Sequence, residues 1–440
     1  MLNIIYDIVV MAVIYGIALS RVEGDESRLI AFVVAALYAT APILLPSTAR
    51  FTGAKARTLS GLLAFAYFLS LAQILLSQNY VFFIVCGIIS ILSVLASAFA
   101  MQAIVFFSLI LSFFYMTPAP LLAFVIPVCV AYFIPGVGLK EIVLHKINHY
   151  RWYFNSYVGT AANNRNDFRG LMAEIRGQRR ANIILYHLFM TQSILIAAYS
   201  LPVLFVLLYF SVFDGTFLQL VSDSPVYTFY AYLIVASSLL FVITSTRYFL
   251  FLGEAERYFE YSFPFACLLM VPLVSSGRLS ILFCVGLILY QVTVVLCGLF
   301  FKYRFEYFKA FESFKPDDED VELIELLKGL PGDNQKILVI PTKCAFKLAT
   351  LTPPESGMKY LLYFVTNKVD GFKYMKKAFK HYESLDFDFD FVCSEYGIDT
   401  VVVLNDQCKV LPAVTQEFLA QGAVVGRNER YTLYSMVTGG

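Results

Sequence analysis

The stretch RYFLFLGEAERYFEYSFPFACLL, residues 247–269, holds the densest set of reactive groups in an apolar setting. Arg247, Glu254, Glu256, Arg257 and Glu260 lie between two apolar runs, interleaved with Tyr248, Tyr258 and Tyr261. Ionisable side chains at a membrane boundary are costly unless they pair or serve a site. An arginine fork donates in a planar, bidentate way that suits phosphate. The sharp reading is therefore a polar cluster that holds a phosphate or sugar at the membrane surface. The plain reading is an interfacial belt, with tyrosines at headgroup level and arginine–glutamate pairs neutralising each other.

Other groups are sparser. His145 and His149 would share one helix face, but no third ligand stands at metal spacing. With Trp152 and its neighbouring tyrosines they read as a basic interfacial helix on anionic headgroups. RVEGDES (21–27) carries Glu23, Asp25 and Glu26, of which Asp25 or Glu26 is a candidate general base or metal ligand for sugar transfer. The same residues also fit a solvated turn. The DFDFD run (386–390) lacks the glycine and glutamate of a calcium loop, and its alternation fits an exposed strand. Asp7 and His187 lie in apolar runs, close to span ends. No phosphate-binding loop, nucleophile elbow or paired-carboxylate motif is complete. No metal site is assigned, and a divalent metal stays open as a cofactor.

The elements that must position these groups are mostly membrane helices. Of 440 residues, 59% are hydrophobic and 15% charged, against about 25% charged in soluble proteins. A net charge of +1 argues against nucleic acid as a partner. Cys86, Cys129, Cys267, Cys284 and Cys297 lie in apolar runs and read as core hydrophobes. Cys344, Cys393 and Cys408 are too scattered for a disulfide framework or a zinc site. The N-terminus lacks a basic n-region and reads as a first span. Apolar stretches long enough to cross the bilayer fall near 3–20, 29–46, 59–77, 80–100, 102–117 and 118–136. After a basic interfacial segment at 137–181 come 182–213, 227–251, 262–276 and 279–300.

Arg50, Lys55 and Arg57, like the basic residues of 137–181, belong in the cytoplasm by the positive-inside rule, as does the N-terminus. The stretch 182–213 leaves two topologies. A single crossing gives ten spans and a cytoplasmic C-terminus. A turn near Ser200-Leu201-Pro202 gives eleven and an external one, with each half short for a span.

After Phe301 the character changes, so 1–301 reads as a helical membrane domain and 302–440 as a small soluble α/β domain. DDEDVELIELLKGL is an acidic-started helix. KILVIP (336–341) and TVVVL (400–404) are buried-strand candidates. Residues 369–385 form an amphipathic helix pattern and 412–422 a glycine-closed helix, with a terminal hairpin around Arg427-Asn428-Glu429. Strands alternating with helices indicate an α/β layer.

Two segments resemble the GT-C superfamily of polytopic glycosyltransferases, which use polyprenyl-phosphate sugar donors. Gly253-Glu254-Ala255-Glu256-Arg257-Tyr258 followed by Pro264 is similar to the arginine–tyrosine segment that opens a late helix there. KILVIPTKCAFKLATLT, Tyr396-Gly397-Ile398-Asp399-Thr400-Val401-Val402-Val403 and Arg430-Tyr431-Thr432-Leu433-Tyr434 are similar to its terminal α/β domain. The resemblance implies sugar transfer on the extracytoplasmic side of the inner membrane, in cell-surface polysaccharide assembly. It puts Arg257 and Tyr258 near the carrier phosphate, supported by Arg247, Glu254 and Glu256. It also implies an outward-facing C-terminal domain, hence two crossings by 182–213. The family's long first external loop is reduced here to RVEGDES, which puts its catalytic base in question. The alternative is a non-enzymatic scaffold or transporter component of polysaccharide export, with membrane lipids and assembly proteins as partners.

Overall fold

The computed structural model describes residues 2–44, 56–135, 193–246, 255–301, 317–330, 335–340, 344–361, 389–405 and 413–436, with isolated residues between. Outside them lie Arg247, Tyr248, Glu254, His145, His149, Trp152, His187, Cys408 and the 369–385 pattern. The chain forms two compact units, Met1–Val143 with Ala161–Phe305, and Leu144–Thr160 with Glu306–Gly440.

The first unit is helical. Its elements are α1 (Leu2–Leu19), α2 (Ser27–Ala39), α3 (Ala56–Ser77), α4 (Phe82–Ala96), α5 (Ala98–Phe114) and α6 (Ala119–Tyr132). There follow α7 (Ser193–Ser200), α8 (Pro202–Phe213), α9 (Gly215–Asp223), α10 (Pro225–Thr244), α11 (Arg257–Ser275) and α12 (Ile281–Phe301). By length and composition four can cross a membrane (α3, α10, α11 and α12), or five if α7 and α8 form one span bent by 78°. Five further helices are apolar but shorter. Large apolar side chains face outward, among them Phe113, Phe133, Phe213 and Leu282, a surface that suits lipid rather than water.

Two expected spans end early. The 29–46 run stops as a helix at Ala39, and Pro42–Leu44 tightens into a 3-10 turn. The 80–100 run breaks at Ser97, which is extended and caps α5 by accepting from the Ala100 amide. α11 sits at the centre, buried from Tyr258 to Val274 except at Glu260, and packs on α1, α2, α3, α8 and α10. α4 and α6 meet closely: a Cβ on Gly87 would lie 2.9 Å from Pro127 Cγ. Small residues allow such backbone approach between membrane helices.

α10 and α11 run antiparallel, with Ser237 against Ser262 at 2.7 Å and Phe241 against Phe259 at 5.2 Å. Arg21, in the α1–α2 turn, lies in electrostatic reach of Tyr227 and Tyr230 at the start of α10. Asp214 after α8 pairs with Arg278 after α11 at 2.9 Å, while α7 packs on the 42–44 turn. The bent pair thus joins the region of the 42–44 turn to the Asp214–Arg278 ion pair. The pair is a broken span or a re-entrant loop by its 78° bend.

The second unit contains α13 (Asp318–Lys328), β1 (Lys336–Ile340), α14 (Ala345–Leu351), β2 (Lys359–Tyr360) and α15 (Phe389–Tyr396). It ends with β3 (Thr400–Leu404), α16 (Ala413–Gln421), β4 (Ala423–Arg427) and β5 (Tyr431–Ser435). The sheet order is β2-β1-β3-β5-β4, with β1 parallel to β2 and β3, and β5 antiparallel to β3 and β4. Successive strand residues face opposite ways. Ile337, Val339 and Val402 meet Leu323 of α13 and Leu348 of α14. Leu338, Ile340, Val401 and Val403 meet Val392 of α15 and Leu419 of α16. Helices on both faces explain why β1 and β3 are apolar after their first residues, Lys336 and Thr400. Phe389 and Asp390 of the DFDFD run open α15, so that part is helix rather than exposed strand.

Candidate functional site

The first turn of α11 carries the polar groups of the 247–269 cluster that fall among the described residues. Tyr258 is fully buried; its hydroxyl donates to the Leu252 carbonyl at 3.1 Å and accepts from Gln102 Nε2 at 2.7 Å. Gln102, on α5, also donates to the Leu252 carbonyl. This ring satisfies three buried groups and ties α5 to the approach to α11. Arg257 lies with its guanidinium carbon 3.9 Å from the centroid of Phe99, also on α5. Phe99 in turn packs on Tyr258 and Tyr261, at 5.2 and 6.0 Å between ring centroids. Glu256, 3% exposed, acts electrostatically on Tyr199 of α7. A fixed guanidinium and a buried carboxylate are adjacent in the chain, within a largely apolar bundle.

Asp25 and Glu26 are exposed in the α1–α2 turn, beyond Arg21. That turn meets the start of α10, whereas Glu256 and Arg257 lie near its end. Tyr227 and Phe241 are separated by roughly 20 Å of helix. The structure thus brings Glu256, Arg257 and Tyr258 together and leaves Asp25 and Glu26 at the opposite end.

A second polar locus lies at the break between α7 and α8. Gln291, fully buried on α12, meets Thr40 Oγ1 at 2.8 Å, and the nitrogen end of its amide has no partner. The Ser200 and Ser193 hydroxyls of α7 are likewise buried without partners. Tyr290 donates to the Tyr199 carbonyl at 3.1 Å, which joins α12 to the last turn of α7.

In the second unit Lys347 pairs with the buried Asp320 and, at 3.5 Å, with Asp317; Arg430 also pairs with Asp317. Tyr431 donates to Asp320 at 2.9 Å. These groups sit at the carboxyl edge of the parallel strands, beside a cleft of about 270 Å³ lined by Glu319, Asn405, Glu429 and Arg430. Their mutual pairing makes them a structural clamp.

Among the described residues no three His, Cys, Asp or Glu side chains converge as metal ligands. The sequence reading missed Phe99, Gln102 and Gln291. Gln102 and Gln291 stand as lone amides in apolar runs, a signal that attention to ionisable residues alone passes over. Compared with known proteins, the chain matches no family model and no curated protein sequence.

Proposed function

We propose that this chain is a multi-pass membrane protein that handles a polyprenyl-phosphate-linked sugar in cell-surface glycan assembly, with Arg257 meeting the phosphate. One observation carries the reading: an arginine over an aromatic ring, with a buried glutamate before it and a hydrogen-bonded, buried tyrosine after it. A bidentate fork favours phosphate, and fixing it beforehand lowers the ordering cost of binding. In the glycosyltransferase form of this reading, Glu256 takes the role of base. A base must come within hydrogen-bond reach of the acceptor hydroxyl, and Asp25 and Glu26 are too distant from Arg257 to share its centre.

Sidedness departs from the GT-C resemblance. α5 starts beside Arg257, α6 returns to that end, and the basic segment 137–181 follows. The positive-inside rule makes this end cytoplasmic. Both chain termini join it there when the four long helices, the bent pair and the five shorter helices all cross. A reporter fused at Gly440 tests this. Cytoplasmic activity is expected; extracytoplasmic activity restores the family's orientation and removes ours. The function is tested with purified protein and a short-chain polyprenyl phosphate in mixed micelles, against the matching alcohol. Binding specific to the phosphate and weakened at least tenfold by Arg257→Ala is expected. Equal binding of both lipids sinks the reading.

A second reading, a transporter component of glycan export, is favoured by the broken α7–α8 traverse and the buried Gln291. Discontinuous helices with midplane polar groups are features of transporters.

A further inference from the structure

Open α/β sheets bind ligands outside the carboxyl ends of their parallel strands, where the strand order reverses. In the second unit β1 has β2 on one side and β3 on the other, so the reversal falls between β1 and β3. Asn405 directly follows β3. It lines the cleft of about 270 Å³ together with Glu319, Glu429 and Arg430.

Hydrogen bonds fix the frame of this cleft. The Asn405 amide donates to the Arg430 carbonyl at 2.8 Å. The Asn405 side-chain nitrogen donates to the Asn428 and Glu429 carbonyls at 3.1 and 2.8 Å, and its oxygen accepts from Thr432 at 2.6 Å. Asn428 in turn donates to the Glu319 carbonyl at 2.7 Å, which fastens the first turn of α13 to the β4–β5 turn. Asn405 is thereby consumed as a brace. What the walls still offer is charge. The Glu319 and Glu429 carboxylates have no partner among the described residues. A guanidinium carries five donors, and Asp317 takes Nη1 of Arg430.

Neither a metal ion nor a phosphate uses these groups together. Hard divalent ions such as calcium take roughly six to eight oxygens, and no three acidic, cysteine or histidine side chains converge among the described residues. A phosphate would face two carboxylates of its own sign. An ammonium group donates three hydrogen bonds, which suits carboxylates, and a guanidinium takes a carboxylate in a planar, bidentate way. We propose that the cleft binds a small zwitterion of the amino-acid class. Its ammonium meets Glu319 and Glu429, and its carboxylate meets Arg430, which Asp317 holds in place. The site is independent of whether Arg257 meets a phosphate.

The test is calorimetric titration of the full chain in detergent with glycine, β-alanine and γ-aminobutyrate, whose two charges lie progressively farther apart. Propylamine and propionate supply each charge alone. At least one zwitterion is expected to bind saturably, and about tenfold or more tighter than either single-charge probe. Glu319→Gln and Glu429→Gln remove charges that the fold does not pair, and each is expected to weaken that binding roughly fivefold or more. Propylamine binding as tightly as the zwitterions removes the role of Arg430, and propionate doing so removes that of the glutamates. Either result overturns the proposal. So does the absence of saturable binding, or binding that both variants leave unchanged.

Discussion

Gln102 of α5 and Tyr258 of α11 are hydrogen-bonded at 2.7 Å inside the bundle, and both also donate to the carbonyl of Leu252. One acceptor with two donors is a redundant arrangement. Tyr258→Phe leaves Gln102 on Leu252, and Gln102→Leu leaves Tyr258 there, so each is expected to cost about 1 kcal/mol. The double variant orphans a buried carbonyl, a penalty of about 1–3 kcal/mol beyond the single losses. Thermal unfolding of the four proteins in one detergent reads this coupling. Additive losses would show that the ring is not a unit.

Phe99 holds Arg257 by its face, and burial alone does not require an aromatic there. Phe99→Leu keeps an apolar side chain but removes the cation–π attraction, worth about 1 kcal/mol. Polyprenyl phosphate binding is expected to weaken roughly fivefold, since about 1.4 kcal/mol is tenfold, with Tm nearly unchanged. A titration of Phe99→Leu against the parent checks it; unchanged affinity would mean the stack does not orient the fork.

The long apolar helices were legible because apolar runs leave few alternatives, as at Ile281–Phe301. Their ends were not. Whether 29–46 continues past Ala39 depends on Pro42 meeting α7 and α12, which are distant in sequence. The bend at Leu201 was visible as a proline, but its direction is set by the Tyr290–Tyr199 and Arg278–Asp214 contacts. Hydropathy also misranks α11, the most buried of the four long helices and the least apolar of them. In the second unit β1 and β3 were readable as strands with continuous apolar runs. β2 was not, since only Lys359 and Tyr360 pair. Glu256 and Arg257 were legible as a cluster, while Phe99 and Gln102 enter only through packing of α5.

Gly87 is fixed by its neighbour. A side chain there collides with Pro127, and Gly87→Val must push α4 off α6. Overpacking costs about 1–3 kcal/mol, so a lower Tm is expected in detergent. Gly61, whose Cβ position is open, is the control: Gly61→Ala is expected to leave Tm unchanged or raise it. Equal effects at the two sites would refute the close approach.

Lys347 neutralises a carboxylate with no access to water, because Asp320 is fully buried. Lys347→Met leaves that charge with only the Tyr431 hydroxyl and the Asp317 amide as neutral donors, and breaking a buried pair costs about 3–5 kcal/mol. Adding Asp320→Asn removes the charge and is expected to restore part of the loss. Hydrogen exchange across Lys336–Ile340 and Thr400–Leu404 in the full chain reports this unit. No recovery in the double variant would mean that Lys347 acts through packing.

Asp317 makes the same clamp sensitive to acid. Partial burial pushes its carboxyl upward, but hydrogen bonds with Asp320 and the charges of Lys347 and Arg430 outweigh it. They hold the group at about 2, below its ordinary 3.8. A carboxyl depressed on folding adds stability that is fully present above the unfolded value and lost as pH falls through the folded one. Exchange protection of β1 and β3 is therefore expected to decline between about pH 4 and pH 2, more gently at high salt, since the side chain is 37% exposed. Asp317→Asn should start from lower protection at pH 7 and decline less over that window. A decline as steep as the parent's would assign the acid sensitivity to other carboxylates.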